Sequence, residues 1–333
     1  MPDHRLPRIA IATGDPAGIG PEISLKAALN ADVRALCRPL VVGDPAAIRR
    51  HADAAGLEAP LHVIQNVEDA TWADGALDVL AVPFPAGASL AFGVNDAACG
   101  RAALASAARA IAVASAGEVD AVVAAPHNQT SIAAAQIPFD GYPTFVARET
   151  GMSPHDVFLM LCFGDMRIVH CTLHVGVAQA LTLITRERVG RAIRAADAAL
   201  RRIGIARPRI CVGGLNPHAG EGGLFGREEI DVIAPAIGEA QAAGIAVEGP
   251  FGCDTMFQRK DVDAFVVMLH DQGHITAKLL AFNQSAAFAI GSPILFSSVA
   301  HGSAFDIAGK GVASPAAMIE AITRLAGASR TMT

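Results

Sequence analysis

AACGRAALASAARAIAVASAGEVDAVVAAP, residues 97–126, is a predicted helix followed directly by a predicted strand. Asn95 and Asp96 precede the helix and suit its N-cap, and Gly117 suits the residue that ends it. The run VDAVVAAP then continues without alternation between polar and apolar residues. A strand of a parallel sheet is covered on both faces, so it takes the form of a continuous apolar run. The stretch therefore predicts a helix packed on a buried parallel strand.

The same order of elements recurs along the chain. Further strands are predicted at RIAIATG (8–14), PLVVGDP (39–45), RIVHCTL (167–173), RICVGGL (209–215) and DAFVVML (263–269). Further helices are predicted from about Pro21, from Thr185 to Ile203, at 227–244 and at 314–327. This alternation is typical of an α/β fold, and the length of 333 residues suits two domains.

Composition and charge exclude several classes of protein. The chain is 52% hydrophobic and 17% charged, with a formal net charge of −6 and no long basic run. These values argue against a nucleic acid or a membrane as partner. The six cysteines form no C-x-x-C pair, as expected of reduced, mostly buried thiols in a cytoplasmic protein.

Histidines follow four of the predicted strands. His127, His174, His218 and His270 each come just after an apolar run. Ligands of α/β proteins gather beyond the carboxyl ends of the strands. We therefore expect His174, His218 and His270 to hold a divalent metal, with a position left open for substrate. Imidazole ligands suit zinc, cobalt, nickel or manganese, so the sequence does not choose the metal.

The segment MLHDQGHITAK, residues 268–278, adds a second histidine four residues after His270. That spacing would place both imidazoles on one face of a helix, as in zinc-binding H-E-x-x-H motifs. Gly273, however, lies between them and disfavours a continuous helix. We therefore expect the strand to end at His270, and His274 to be a neighbour of the site. Asp254 and Asp271 are candidates to orient or supplement the metal ligands.

Three glycine-rich segments are candidate loops of the site. GDPAGIGPEI (14–23) matches neither common phosphate-binding motif and can be a tight turn, with Asp15 and Glu22 as possible helpers of a site. LNPHAGEGGLFGREE (215–229) has the glycines that let backbone approach a ligand. HGSAFDIAGKGVASP (301–315) is the third, directly before the last predicted helix.

Taken together, these motifs resemble the 4-hydroxythreonine-4-phosphate dehydrogenase family along nearly the whole chain. The resemblance implies two α/β/α domains like those of isocitrate and isopropylmalate dehydrogenases, here residues 1–130 with 286–333 and residues 131–285. It also implies an NAD-dependent homodimer with active sites at the subunit interface. By the same resemblance, His174, His218 and His270 bind a divalent metal, with zinc first and magnesium also possible. Lys278 matches the family's active-site lysine. His301, Gly302, Ser303 and Asp306 fall in its dinucleotide loop.

The chain departs from the biosynthetic members of that family at the substrate. They have Gly-His-Thr-Glu where this chain has Gly141-Tyr142-Pro143-Thr144. Their substrate-binding Asn falls on Ala287, and their phosphate-binding Arg on Phe296. Each lost charge-assisted hydrogen bond is worth about 1.5–3 kcal/mol, which argues against a phosphorylated substrate. Other stretches, GYPT, RIVHCTLH and MLHDQGHITAK among them, resemble a terephthalate cis-dihydrodiol dehydrogenase branch.

The resemblance therefore implies an oxidative, decarboxylating dehydrogenase acting on a small carboxylate. A secondary hydroxyl is oxidised and the resulting β-keto acid loses CO2, with Lys278 as proton donor or carboxylate partner and Asp254 as a metal neighbour or base. Tyr142 is expected at the substrate, because its flat ring suits a cyclic diol. The alternatives are 4-hydroxythreonine 4-phosphate and a threonate or erythronate phosphate as substrate. A metal-dependent binding protein without activity and a purely structural oligomer are the remaining alternatives.

Overall fold

A computed structural model describes residues 5–58, 60–73, 75–281 and 285–330, with side chains up to residue 327. The chain forms two compact units. Unit 1 comprises residues 1–145 and 293–333, and unit 2 comprises residues 146–292. The α/β class expected from the sequence is confirmed.

The described residues contain twelve strands and eleven α-helices. The strands are β1 (Arg8–Ala12), β2 (Arg38–Gly43), β3 (Leu61–Ile64), β4 (Leu77–Ala81), β5 (Ala121–Ala124), β6 (Phe158–Phe163), β7 (Met166–His170), β8 (Arg209–Gly213), β9 (Ala246–Phe251), β10 (Ala264–Val267), β11 (Ala286–Ile290) and β12 (Phe296–Val299). The helices are α1 (Gly20–Ala28), α2 (Ala31–Leu36), α3 (Pro45–Ala54), α4 (Ala97–Ser115), α5 (Gln129–Ala134), α6 (Tyr142–Glu149), α7 (Val177–Leu183), α8 (Arg186–Arg202), α9 (Ala234–Ala242), α10 (His270–Ala281) and α11 (Ala316–Arg330).

The strands of unit 1 are parallel and lie in the order β3-β4-β2-β1-β5-β12. Helix α4 begins and ends as its sequence predicts. Asp96 caps it by accepting a hydrogen bond from the Ala98 amide, and Gly117 follows its end with φ +75°. By length and composition α4 could cross a membrane, but 61% of its most apolar window is buried in unit 1. Burial of that extent is ordinary for a core helix of a globular unit.

The strands of unit 2 lie in the order β11-β6-β7-β10-β8-β9. The pairs β7–β10, β10–β8 and β8–β9 are parallel. The pairs β11–β6 and β6–β7 are antiparallel, so this sheet is mixed rather than parallel throughout. An apolar cluster that includes Ile168, Phe265 and Val267 packs against the sheet and is closed by Ala277 of α10. The core therefore reaches the helix that carries two of the site histidines.

One prediction about unit 2 was wrong. The strand that was expected to reach His270 ends at Val267, and α10 runs without interruption from His270 through Gly273 to Ala281. Gly in a helix costs about 1 kcal/mol relative to Ala, which tertiary packing can outweigh. The contact responsible is between Gly273 and His170, described below.

Candidate functional site: a histidine cluster and two braced loops

The carboxyl ends of three neighbouring strands lead to the three histidines that were expected to bind metal. Strands β7, β10 and β8 are adjacent and parallel. His174 follows β7, His270 begins the helix after β10, and His218 lies in the loop after β8. This is the edge of a parallel sheet where ligands ordinarily bind.

Four imidazole rings gather at this edge. His270 and His274 lie one turn apart on α10, with their rings stacked at 3.7 Å between centroids and 8° between planes. The ring of His174 lies 5.5 Å from that of His270. His170, at the end of β7, lies 4.6 Å from His274. We call these four residues the histidine cluster.

Hydrogen bonds at Nδ1 fix the tautomers of several of these rings. His270 Nδ1 lies 2.7 Å from Asp271 Oδ1, and His274 Nδ1 lies 3.2 Å from the carbonyl oxygen of His270. In the neutral imidazole, Nδ1 must carry the hydrogen to serve an oxygen acceptor, so Nε2 is left with its lone pair. That is how metal-binding histidines are usually oriented. Among the expected orienting residues, Asp271 thus has a partner in the cluster.

Burial keeps two rings of the cluster uncharged. It lowers the pKa of His170 to about 3, and neighbouring imidazoles act in the same direction. It also lowers the pKa of His274 to about 4, assisted by the charges of His270, His174 and Lys278. Neutral imidazole is the form that binds a metal ion. The donor chemistry of the cluster therefore fits a divalent cation at neutral pH.

Lys278 belongs to the same face of α10 as the two stacked histidines. Residues four apart on a helix lie above one another, so His270, His274 and Lys278 form one row. The charge of Lys278 contributes to the lowered pKa of His274, in keeping with that placement. The lysine side chain is exposed, so it is accessible to a small molecule.

His218 lies in a turn of left-handed backbone. The segment Pro217–Gly223 has positive φ at six successive residues, 52° at His218, 54° at Ala219, 81° at Gly220, 45° at Glu221, 66° at Gly222 and 104° at Gly223. Left-handed conformation costs about 1–2 kcal/mol for each residue other than Gly. Its imidazole is exposed, with Nδ1 3.2 Å from Glu221 Oε1. The Nε2 lone pair of His218 is thus also left for a ligand.

Glu229 holds this strained loop in place. Its Oε1 accepts hydrogen bonds from the amides of Leu215 and Asn216, both at 2.7 Å, and its Oε2 accepts one at 2.9 Å from Asn216 Nδ2. The carboxyl group is buried, which by itself raises its pKa, but the hydrogen bonds outweigh burial and the pKa is lowered. In the sequence, Glu229 ends the glycine-rich segment 215–229 and lies in the helix predicted at 227–244, and no role was predicted for it. The available signal was a carboxylate directly beside a glycine-rich turn.

Asp254 lies next to this loop. A Cβ atom on Gly252 would come within 2.5 Å of Asp254 Oδ1 and 3.4 Å of the His218 Cα atom. Gly252 therefore lets the two residues lie side by side, with Asp254 exposed.

The structure brings His174 and His270 together, but it does not assemble the expected set of three. Within the part of the chain that is described, no group of three or more His, Cys, Asp or Glu side chains is placed to hold a metal ion. The role of His174, His218 and His270 as joint ligands stays a prediction.

In unit 1 the expected dinucleotide loop packs on the glycine-rich segment after β1. The Ile19 amide donates to the Ser303 carbonyl oxygen at 2.9 Å, and Asn128 Nδ2 lies 3.4 Å from Ser303 Oγ. Ser303 is buried, whereas Gly302 and Asp306 are exposed. His301 is half-buried, with Nδ1 3.0 Å from the Gly302 carbonyl oxygen.

An ion pair fixes the end of that loop. Glu22 Oε1 accepts hydrogen bonds from Lys26 Nζ at 2.7 Å and from the Ala313 amide at 2.8 Å. Lys26 Nζ also donates to the carbonyl oxygens of Gly311 and Ala313. Glu22 was expected to help a nearby site, and it holds the end of the expected dinucleotide loop at Ala313.

Asp15 is buried at the start of the same segment. Its Oδ1 accepts a hydrogen bond from the Ala17 amide at 2.8 Å, but its Oδ2 has no hydrogen-bond partner among the described residues. Burial raises the pKa of Asp15 to about 6, although the Ala17 amide opposes this. The carboxyl group is thus half protonated near pH 6, well above the pH at which an ordinary aspartate ionises.

Tyr142 is a core residue of unit 1. It is 7% exposed, and its hydroxyl donates to the Ala125 carbonyl oxygen at 3.2 Å. Its ring lies 5.1 Å from Phe296 and 5.0 Å from His127. A substrate at this place would thus meet an aromatic surface rather than the hydroxyl.

The family model described as pyridoxal phosphate biosynthetic protein PdxA matches residues 35–325. The chain belongs to this family.

Two curated relatives are similar over almost their whole length. The 1,2-dihydroxy-3,5-cyclohexadiene-1,4-dicarboxylate dehydrogenase of Comamonas sp is 41% identical over 324 residues, 97% of each chain. The D-threonate 4-phosphate dehydrogenase of Cupriavidus necator is 40% identical over 327 residues, again 97% of each chain. Members of the PdxA family are thus dehydrogenases, and this chain is an oxidoreductase that acts on a CH–OH donor.

A solved structure supports the same assignment. The terephthalate 1,2-cis-dihydrodiol dehydrogenase from Burkholderia xenovorans LB400 is 45% identical and aligns with a TM-score of 0.71, covering 96% of this chain and 98% of that one. The family resemblance and the α/β class expected from the sequence are confirmed.

Proposed function

We propose that this PdxA-family chain is an NAD- and divalent-metal-dependent dehydrogenase that oxidises a secondary hydroxyl and decarboxylates the β-keto acid formed. The proposed substrate is the cis-dihydrodiol of terephthalate, and the proposed products are protocatechuate and CO2. The observation that carries the metal part is the set of imidazoles whose Nδ1 atoms already serve oxygen acceptors. These rings offer Nε2 lone pairs in the neutral form that a metal requires.

The proposed metal ligands are His174, His218 and His270, with zinc as the first candidate and cobalt, manganese, nickel or magnesium as others. When bound, such an ion supplies Lewis acidity toward the substrate hydroxyl and the adjacent carboxylate. His270 is held by Asp271 at 2.7 Å, and the His218 loop is held by Glu229. The ligand atoms are therefore oriented in advance, which lowers the entropy lost on binding.

A homodimer with active sites at the subunit interface is part of the proposal. Large apolar residues on α10 are exposed beside Lys278, namely Ile275 (56%), Leu279 (80%) and Leu280 (62%). An exposed apolar patch of this kind marks an interaction surface. A second copy at this surface would give the site residues that a single chain does not bring together. A cytoplasmic location belongs to the same proposal.

Lys278 is proposed to act on the substrate directly. Its exposed ammonium group can pair with a substrate carboxylate or donate a proton to the phenolate oxygen that forms as CO2 leaves. Asp254, beside His218, is proposed to accept the hydroxyl proton or to support the metal. When bound, NAD would supply the acceptor for the hydride of the carbinol carbon, and loss of CO2 from the resulting β-keto acid would give an aromatic ring.

The dinucleotide is proposed to bind at the loop of His301, Gly302, Ser303 and Asp306. The loop is fixed at both ends, at Ser303 by the Ile19 amide and at Ala313 by Glu22 and Lys26. Gly302 leaves open space where a Cβ atom would stand, so backbone there can approach a ligand closely.

The residue types at two aligned positions favour the dicarboxylate. Phe296 and Ala287 stand where the biosynthetic enzymes are expected to have a phosphate-binding Arg and a substrate-binding Asn. Phe296 packs against Tyr142 in an aromatic cluster, so residue 296 offers a phosphate group neither a charge nor a hydrogen bond. A flat cyclic diol is better matched to such surroundings.

A second candidate keeps the reaction and changes the substrate to a threonate, erythronate or 4-hydroxythreonine phosphate. The 40% identity to the D-threonate 4-phosphate dehydrogenase of Cupriavidus necator favours it. A phosphate would then need a basic group other than residue 296.

Turnover assays decide between the two. Purified protein is loaded with Zn²⁺, Co²⁺, Mn²⁺, Ni²⁺ or Mg²⁺ in turn, and NADH formation is followed with the cis-dihydrodiol and with each phosphorylated acid. We expect turnover of the diol with release of one CO2 per NADH, and a loss of about 10²–10⁴-fold in kcat for Lys278→Ala. Turnover of a phosphorylated acid alone would overturn the proposed substrate. No NADH from any hydroxy acid would overturn the enzyme class.

A further inference from the structure

The most enclosed member of the histidine cluster is His170. It is 1% exposed, and its Nδ1 lies 3.4 Å from the Leu159 carbonyl oxygen on the neighbouring strand β6. This contact requires hydrogen at Nδ1, so Nε2 carries only its lone pair. Nε2 is buried without a hydrogen-bond partner among the described residues. Such an atom costs free energy, so a compensating role is expected.

That atom points at the backbone of α10. A Cβ atom built on Gly273 would lie 2.3 Å from His170 Nε2, 2.9 Å from His170 Cε1 and 2.8 Å from Ile168 Cγ2. Every other residue type would collide with the imidazole. Gly273 is therefore required inside the helix, despite its unfavourable helix propensity, because His170 occupies the space of its side chain.

The contact sets how close α10 lies to β7. On one side of Gly273 the ring of His170 meets the helix backbone, and on the adjoining turn it packs 4.6 Å from the His274 ring. His274 in turn stacks on His270. A shift of α10 away from β7 would move His270, His274 and Lys278 together, since all three lie on one rigid helix.

We propose that His170 is a positioning residue that seats α10 through Gly273 and His274, and so sets the affinity of the site for its metal. The effect on metal affinity rests on the proposed function. The positioning of α10 by His170 rests on geometry alone. His170 is not assigned as a ligand, because its Nε2 faces the helix backbone.

Four variants test the seating: His170→Ala, His170→Asn, Gly273→Ala and the double variant His170→Ala/Gly273→Ala. Affinity for Zn²⁺ is measured by competition with a chromogenic chelator, and urea unfolding is measured on metal-free protein. We expect Gly273→Ala to weaken Zn²⁺ binding about 10–100-fold, the range found for residues that support metal ligands. In the His170→Ala background the same change should cost about tenfold less, because the collision with the imidazole is gone and only the contact with Ile168 Cγ2 is left. His170→Asn, whose amide can still donate to Leu159, should retain more affinity than His170→Ala.

His51→Ala is the matched control. His51, in unit 1, is as buried as His170, and its Nε2 lies 2.8 Å from the Pro16 carbonyl oxygen. Its Nδ1 has no hydrogen-bond partner among the described residues, and the Phe92 ring lies 4.6 Å away, but His51 is outside the histidine cluster. The His51→Ala variant should lower the urea midpoint as His170→Ala does and leave Zn²⁺ affinity unchanged.

The inference is overturned if Gly273→Ala costs the same Zn²⁺ affinity with and without His170. It is also overturned if His170→Ala lowers only the urea midpoint, as the control does. If wild-type protein binds no divalent ion, the proposed function fails together with the metal part. In that case the urea midpoints of the four variants still decide the seating, which fails if the effects of residues 170 and 273 are additive.

Discussion

Two buried carboxyl groups, Glu229 in unit 2 and Asp15 in unit 1, differ in the number of hydrogen-bond donors that surround them. Both lie in glycine-rich segments that follow a strand, and both are almost fully buried, 3% and 0% exposed. Glu229 accepts three hydrogen bonds from Leu215 and Asn216, the residues that lead into the His218 loop. Asp15 accepts one, from the Ala17 amide, and its other oxygen has no hydrogen-bond partner among the described residues.

The difference shows in their acidities. Burial raises the pKa of both, but hydrogen bonds outweigh it at Glu229, whose pKa is lowered, and do not at Asp15, whose pKa rises to about 6. Burial alone therefore does not set the direction in which the pKa of a carboxyl group shifts. The number of hydrogen-bond donors around the carboxylate determines whether its pKa is raised or lowered.

Glu229→Ala should produce the largest effect. It leaves the amides of Leu215 and Asn216 without their acceptor, at about 1–3 kcal/mol each, and releases the strained turn. We expect a loss of about 3–5 kcal/mol in the free energy of unfolding, measured in urea, together with weaker Zn²⁺ binding through His218.

The neighbouring carboxylate provides the control. Glu228 is exposed and bonds Asn216 Nδ2 at 2.7 Å, so Glu228→Ala should cost no more than about 1 kcal/mol. Equal losses at residues 228 and 229 would contradict the bracing role.

Asp15→Asn should act in the opposite direction and depend on pH. Folded Asp15 keeps a proton up to about pH 6, whereas the unfolded chain releases it near 3.8, so wild-type stability falls as pH rises between these values. The asparagine variant has no such penalty. We expect its stability relative to wild type to grow by about 2–3 kcal/mol between pH 4 and pH 8. A difference that is constant with pH would show that Asp15 is ionised in the folded protein throughout.

Sequence periodicity predicted much of this framework and missed what depends on distant contacts. The run around α4 and β5 identified the parallel core, and the histidines were placed correctly at the ends of β7, β10 and β8. The helix α10 was not predicted to run through Gly273, because the low helix propensity of glycine is visible in the sequence. The contact of Gly273 with His170, some hundred residues away, is not visible there. The antiparallel pairing of β6 was hidden for the same reason. The boundaries expected for the two domains, and the joint metal site, stay predictions.

The smallest effect concerns the turn that Glu229 holds. Ala219 has φ +54°, which costs about 1–2 kcal/mol for a residue with a Cβ atom, whereas glycine adopts it freely. Glycine also gains about 0.4–1 kcal/mol of entropy in the unfolded chain. Ala219→Gly should therefore raise the free energy of unfolding by about 0.5 kcal/mol, while Ala105→Gly, at an exposed position inside α4, should lower it by about 1 kcal/mol. Urea unfolding of the two variants side by side measures the sign. If both substitutions destabilise the protein equally, the left-handed turn stores no strain, and Glu229 then holds a loop that would keep its shape without it.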